Sequence, residues 1–472
     1  MTRINTNVSS LNAQKTLTRS NTALQQALTR LSTGLRINTG KDDPAGLIAS
    51  ETLRADIVSV QKAISNSQRA SEMIATADSA LGQVNALLND IRALITEAAN
   101  QGALSDEQIA ANQLQIDASL EAINRIAQTT TFQGRKLLDG GLDFVISSTD
   151  ADFDKVVDLQ VYQATLDSDG VDITINVTTA ATQASTTVSD AGADNNLDAD
   201  IVFELAGSKG REVFNFSAGT AYSDIADAIN LVSDATGVTA SYAAGTLTLT
   251  STDYGSNALV SIEIIGSYSG AEFDDARDTG SDIEASVNGI SAQGDGNTLS
   301  VKTAALDLKV VLDDSTIADG DSIDFTISSG GALFQLGPEV VSNQQARIGL
   351  MSVNVANLRG ESGRLYELGS GESADLSTDP TTAAEIVDQV IAKVASLRGR
   401  LGAFQRATLD TNIASLTDTL ENITAAESAI RDADFAAETA ALTRAQILVQ
   451  SGTAVLAIAN TRPQNVLALL GG

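Results

Sequence analysis

Residues 409–430 read LDTNIASLTDTLENITAAESAI. Leu409, Ile413, Leu416, Leu420, Ile423 and Ile430 follow alternating steps of four and three, broken only at Glu427. Such spacing draws a narrow apolar line down one side of a helix, the seam of a coiled coil. An isolated helix is marginal in water. Burying these side chains stabilises by roughly 10–15 kcal/mol as an upper bound, at about 1.5–3 kcal/mol each, so the seam requires partner helices. The other long stripes lie before residue 130. The two ends of the chain are therefore expected to meet, with everything between them looped out.

Working outward to the N-terminal stripes, Leu17, Leu24 and Leu31 repeat every seven residues, and Leu28 and Leu35 fill the intermediate step. This predicts a first helix over about 5–35. Gly34 and Gly40 break it, and Asn38 to Pro44 reads as a connector because Pro44 disfavours helical geometry at Asp43. A phosphate loop is excluded there: five residues separate the glycines where four are needed, and Asp42 stands where Ser or Thr would hold magnesium. A second helix is predicted over 45–100. Val60, Ser67, Ile74, Leu81, Leu88 and Ile95 share one register, and Ile57, Ile64, Ala77, Val84 and Ile91 supply the other positions. If continuous it runs for about 80 Å at 1.5 Å per residue, longer than a compact domain is wide, which implies a rod. Ile57, Ile64, Ile74, Leu81 and Leu88 are the expected intramolecular partners of the 409–430 seam. Gly102 ends this helix, and a third, about 105–128, repeats Ile109, Ile116 and Ile123 behind a Ser105 N-cap with Asp106 and Glu107 in the first turn. Periodicity by itself is equally compatible with an ordinary helical bundle.

Composition narrows the function classes. The chain of 472 residues has no Cys, no His and no Trp, and 4% aromatics. No His-based triad, Cys nucleophile or ordinary zinc site is available, so no enzyme activity, cofactor or metal is expected. Net charge is −31, and residues 141–345 hold 33 Asp and Glu against 6 Lys and Arg. Acidity of this kind argues against nucleic acid and against an anionic membrane surface. Met1 to Leu11 lacks the basic cluster and apolar run of a cleavable signal peptide. The most apolar segment, 447–470, is interrupted by Gln450, Ser451, Asn460, Arg462 and Pro463, so no membrane span is expected.

Specific residues then point to a family. Leu31-Ser32-Thr33-Gly34-Leu35-Arg36-Ile37-Asn38, followed by Lys41-Asp42-Asp43 and Ala45-Gly46, resembles the N-terminal signature of bacterial flagellin, as does the opening Ile4-Asn5-Thr6-Asn7. Thr131-Phe132-Gln133-Gly134 with Lys136-Leu137-Leu138 is similar to the family's segment after the third helix. Glu427-Ser428-Ala429-Ile430-Arg431-Asp432, Gln446-Ile447-Leu448 and the run from Pro463 to Leu470 are similar to its C-terminal pattern. Pro44 departs from it, since the family usually has Ala there.

The resemblance implies an α+β subunit: a long antiparallel coiled-coil rod formed by the N- and C-terminal segments, with a β-rich outer domain inserted in the middle. It implies a structural subunit that self-polymerises into the flagellar filament for swimming motility. The terminal helices would line the filament's channel, the long helices would form its inner tube, and the middle would project outward. It further implies secretion to the extracellular flagellum through the flagellar export channel, an export chaperone on the C-terminal helix, a filament cap protein and a hook–filament junction protein as partners. The absence of Cys suits that route. The expected domains are an N-terminal filament-core helix (1–44), an inner helical domain in two parts (45–165 and 331–432), an acidic outer domain (166–330) and a C-terminal filament-core helix (433–472).

The middle reads as strands. Val157, Leu159 and Val161 alternate with polar residues, as do Val171, Ile173, Ile175 and Val177. Strands are expected near 201–205, 212–216, 238–242, 246–250 and 259–264. Ile225, Ile229 and Val232 mark a short helix with Ser223 as N-cap and Gly237 as C-cap. This order, with the turn at Gly207-Ser208-Lys209-Gly210, resembles a small module often inserted in flagellins and hook-associated proteins. Asp150, Asp152 and Asp154 invite a calcium reading, but Lys155 and Val161 occupy the positions where the loop needs Gly and Glu. From Gly331 the chain is expected to return to the inner domain, because Phe334-Gln335-Leu336-Gly337 and the segment to Arg359 resemble the second half of the family's inner β element.

The last forty residues are apolar over most of their circumference, and a helix apolar all round must be buried. Nothing in a single chain covers both this segment and the first helix, so both ends are expected to order only when neighbouring copies cover them. Heterologous contacts that do not close generate a helical filament. The residues expected to carry polymerisation are Leu17, Leu24, Leu28, Leu31, Leu35, Leu448, Val455, Ile458, Val466 and Leu470. Competing readings are the homologous hook–filament junction protein, an enzyme carried on the filament surface, whose zinc motif the lack of His rules out, and an adhesin role for the middle. The family's contact run for its Toll-like receptor corresponds to Asn89-Asp90-Ile91-Arg92-Ala93-Leu94; Arg92 and Leu94 remain as possible contacts, while Asp90 reverses a charge, so weak signalling is expected.

Overall fold

The computed structural model describes residues 6–100, 102–166, 170–189, 195–266, 268–270, 272–303, 305–313 and 316–470, with side chains described to residue 461. The fold class is α+β. The helices are α1 (Val8–Thr33), α2 (Pro44–Ala98), α3 (Asp106–Thr129), α4 (Tyr222–Asn230), α5 (Ser233–Thr236), α6 (Pro380–Phe404), α7 (Thr411–Arg431) and α8 (Phe435–Leu470). The strands lie between residues 131 and 348. Two compact units result: one comprises residues 1–71, 335–344 and 406–472, the other residues 72–334 and 345–405.

In the first unit, Asn7 caps α1 by accepting from Ser10 N at 3.0 Å. Gly34 stops the helix in the left-handed region (φ 73°) and donates its N–H to Arg30 O at 2.8 Å, so α1 ends before Leu35. In the connector, the Asp42 carboxylate accepts from the backbone N–H groups of Asn38 and Thr39 and from the Thr39 hydroxyl. The bonds from Thr39 hold its pKa below the usual carboxylate range. Asp43 accepts from Gly46 N at 2.9 Å, and Pro44 starts α2 where its missing N–H costs nothing. The α2–α7 seam forms within this unit. Val60, Ala63 and Leu416 are buried, with Ile64, Leu420 and Ile423 packed against them. Ser67, a polar residue in an otherwise apolar register, accepts from Asn412 Nδ2 at 3.1 Å, and Asn412 also donates to Leu336 O at 2.8 Å. Leu409 is fully buried, but it sits in the π-helical turn Gln405–Asp410 rather than in α7 itself; the wider turn resets the register before the seam begins.

In the second unit, α3 starts with Gln108 Oε1 accepting from Ser105 N at 3.0 Å, the reciprocal half of a capping box. Its Ile116, Leu120 and Ile123 are buried, as are Ile74, Leu81 and Leu88 of α2. The middle contains two β cores. The first is built by a five-stranded sheet in the order 290–291, 284–287, 171–179, 322–330, 144–147 and a four-stranded sheet in the order 293–295, 298–302, 306–312, 156–164. Ile173, Ile175, Leu299, Leu308, Val310, Ile323 and Phe325 fill it. The expected border at residue 166 therefore falls inside a shared core: Phe144–Ser147 pairs with Ser322–Gly330, and Val156–Ala164 pairs with Leu306–Leu312. The second core joins the sheet 276–279, 259–264, 201–207, 211–216 and the sheet 183–189, 246–254, 238–243 to α4 through Phe203, Tyr222, Ile225, Ile229 and Leu249. α4 is capped at Ala221, not Ser223. Asn196 bridges to Ala221, and Tyr222 N donates to Asn195 O at 3.1 Å; this backbone pairing and the burial of Tyr222 set the helix start two residues early. Gly237 does close α5 in the left-handed region.

The acidic turn at 150–154 forms a short 3-10 helix, Ala151–Lys155. Asp150 accepts from the N–H groups of Asp152 and Asp324, and Asp152 pairs with Lys155 at 3.0 Å. Asp150 and Asp152 thus spend their carboxylates on different partners.

Candidate assembly surface

The first unit contains a helix pair that the leucine spacing only half describes. α1 and α8 run antiparallel: Asn7 Nδ2 donates to Ala459 O at 2.8 Å, Ser10 Oγ donates to Asn460 Oδ1 at 2.7 Å, and at the other end Arg30 meets Glu438 at 3.3 Å. The positions of α1 turned inward are Ala13, Leu17, Ser20, Leu24, Ala27 and Leu31, with Ala13, Ser20 and Ala27 buried and the leucines half-buried. On α8 they are Leu442, Ala445, Val449, Gly452, Leu456 and Ala459, with the two alanines buried. Both series step by four and three. Small residues recur every seven positions on each helix, with a larger apolar residue between them. Small side chains permit close approach, and a large one from the facing helix fills the space. At Gly452 a Cβ would lie 3.3 Å from Leu17 Cδ1.

Where the chain enters and leaves this pair, the two connectors are cross-bonded. Arg36 N donates to Arg431 O at 2.7 Å, Ala433 N donates to Gly34 O at 2.9 Å, and Leu35 bridges to Asp432. Arg431 also pairs with Glu51 at 2.9 Å.

The outward faces carry uncovered apolar side chains. Val8, Leu11 and Leu28 on α1 are exposed, as are Phe435, Ile447, Leu448, Val455 and Ile458 on α8, at 48–62% each. Isolated exposed leucines are ordinary; here they form a series along both helices of one pair. The expectation that nothing within one chain covers the ends is thus corrected. Leu17, Leu24 and Leu31 face the α1–α8 seam, and Leu35 is half-buried in the cross-bonded connector. Leu28, Leu448, Val455 and Ile458 do face outward. Val466 and Leu470 lie outside the residues whose side chains are described.

Family comparisons match this architecture at both ends. Residues 4–142 match the bacterial flagellin N-terminal helical region, residues 384–470 its C-terminal helical region, and residues 202–253 the flagellin hook IN motif. The B-type flagellin of Pseudomonas aeruginosa is 31% identical over 99% of each chain. The chain belongs to the bacterial flagellin family. The flagellin of Salmonella rubislaw is 29% identical, again over 99% of both chains. Among solved structures, FliC from Burkholderia pseudomallei aligns at TM-score 0.25 and 16% identity over 71% of this chain and 99% of that one, a likeness too weak to carry a structural argument. As a flagellin the chain is a structural subunit of the flagellar filament, and the junction-protein reading is not favoured. The second β core, with α4, is where the flagellin hook IN motif lies.

The flagellin seam residues divide between the two units. Ile64, Leu416, Leu420 and Ile423 share one cluster, and Ile57, Ile413 and Ile430 are half-buried in the same unit. Ile74, Leu81 and Leu88 are fully buried in the other. Arg92 is exposed and pairs with Asp388 at 2.8 Å, while Leu94 is half-buried. By length and composition alone, Phe435–Thr461 of α8 is long and apolar enough to cross a membrane.

Proposed function

We propose that this flagellin polymerises through the outward apolar residues of α1 and α8, while the α2–α7 seam maintains the fold of each subunit. The observation that carries this reading is the two-sidedness of the α1–α8 pair: its inner seam is satisfied by the chain itself and its outer faces are not. Residues 1–44 and 433–472 are then the filament-core segments, and the middle faces outward. Burial against neighbouring copies supplies about 25 cal/mol per Å² of apolar area, repeated at every subunit added.

Secretion through the flagellar export channel, a chaperone on α8, a filament cap protein and a hook–filament junction protein are the partners and route proposed with it. No nucleic acid is proposed, and no catalysis. α8 is assigned to helix neighbours rather than lipid, since its heptad of Ala445, Gly452 and Ala459 already seats α1 and since Glu438 and Arg444 interrupt its apolar surface. Arg92 and Leu94 are the candidate immune-receptor contacts. Asp90 and the Arg92–Asp388 pair both oppose binding there, so signalling in reporter cells should be weaker than that of an enterobacterial flagellin.

The test is removal of residues 433–472. The product should remain a soluble, helical monomer that fails to extend short filament seeds in electron micrographs; normal filaments from it would refute the assignment.

A further inference from the structure

Lys393 of α6 is a cation with little access to water. Its Nζ lies 2.7 Å from Asp158 Oδ2, and the two side chains are 9% and 19% exposed. Gln160 Nε2 donates to the same Oδ2 at 2.5 Å, and Arg359 O accepts from Lys393 Nζ at 3.3 Å. Lys393 and Asp158 line a cavity of about 140 Å³ together with Asp143, Tyr162, Met351 and Leu397. Asp143 uses one oxygen to accept from Phe144 N at 2.8 Å. Burial pushes its carboxyl above the usual range and pushes Lys393 below the usual range for an amine, and the charges of both Lys393 and Asp158 act on Asp143.

A buried ion pair is a poor source of stability, because desolvating two charges offsets most of their attraction. In water an amine and a carboxylic acid do not condense, since ionisation stabilises both. Burial removes that stabilisation and favours neutral species. The geometry points to a covalent end state: an intramolecular isopeptide bond between Lys393 Nζ and Asp158 Cγ, formed with loss of water and with Asp143 carrying the proton. The ammonium passes one proton to its acidic neighbours and the free amine attacks Cγ, forming the C–N bond. Gln160 polarises Oδ2 while the tetrahedral carbon forms. Asp143 delivers its proton to the departing Asp158 oxygen and is replenished from Nζ. Two hydrogens of the ammonium leave with one carboxylate oxygen as water, one stays on the amide, and net charge is unchanged. The bond ties α6 to the strand Val156–Ala164 and closes a long loop of the chain, which constrains the unfolded state.

Tandem mass spectrometry of a protease digest of the full-length protein tests this. Expected is a branched peptide, one water lighter than the sum of its parts, joining the segments that contain Lys393 and Asp158. Lys393→Arg, which keeps the cation, and Asp143→Asn should both yield the two segments unjoined. Separate, unmodified segments from the wild-type chain would overturn the bond. A water loss mapping to an Asp-Gly step such as Asp139-Gly140 would overturn it equally. A joined product from Asp143→Asn would overturn the role given to Asp143.

Discussion

The α1–α8 pair and the α4-containing β core bury apolar residues to different ends. The β core closes on itself. Phe203, Tyr222, Ile225 and Leu249 are completely covered, and Phe203 stacks on Phe214 and Phe273 with centroids 5.5 and 5.3 Å apart. The helix pair closes only one side, leaving Leu448, Val455 and Ile458 in water. The contrast teaches that apolar content does not distinguish a self-sufficient element from a shared one. What distinguishes them is whether the chain's own topology brings a second face.

The sharpest way to break this comparison is Val455→Asp with Ile458→Asp. Each substitution forfeits about 1.5–3 kcal/mol of burial per subunit contact, so seeded elongation should be lost at any practical concentration while the monomer's helical content is unchanged. A fall in monomer helicity would show that these residues serve the subunit and not its neighbours. The converse substitution, Phe203→Ala, should cost about 3–5 kcal/mol in the β core alone. Hydrogen exchange should quicken in 201–264, and filaments should still grow. Between these lies Gly452. Gly452→Leu overpacks the seam against Leu17 and should cost about 1–3 kcal/mol, read as faster amide exchange in α8. Gly452→Ala should be near neutral, since the Leu17 tip can shift slightly and helix propensity gains about 1 kcal/mol. The smallest effect is expected from Arg92→Ala: it removes an exposed pair with Asp388 and should change thermal stability by less than about 1 kcal/mol.

Much of the helical framework was legible because period and punctuation agree there. Gly34 and Pro44 frame the connector, and Leu416, Leu420 and Ile423 find Ile64 as spacing implies. The inward face of the terminal pair was less legible. Ala13, Ser20 and Ala27, and Ala445, Gly452 and Ala459, recur every seven residues, but small side chains offer no hydrophobic contrast, so the flanking leucines drew the whole assignment toward assembly. A search for small residues at heptad spacing would have found the seam. In the middle, strand positions follow from alternation, whereas strand partners do not. Val171–Thr179 pairs with Glu284–Val287 and with Ser322–Gly330, separations over which local pattern is silent. That is why the expected border at 166 cut across a core. The Lys393–Asp158 pair had no signal at all, since lone residues on a helix and a strand acquire meaning only when brought together.

The cross-bonds between 34–36 and 431–433 bear on how the molecule behaves under load. A single connecting thread swivels freely and passes on only tension. Two strands laced together resist twisting about their common axis, so the terminal pair cannot spin independently of the helices behind it. A twist applied to the terminal pair is therefore passed directly into the helices that follow it.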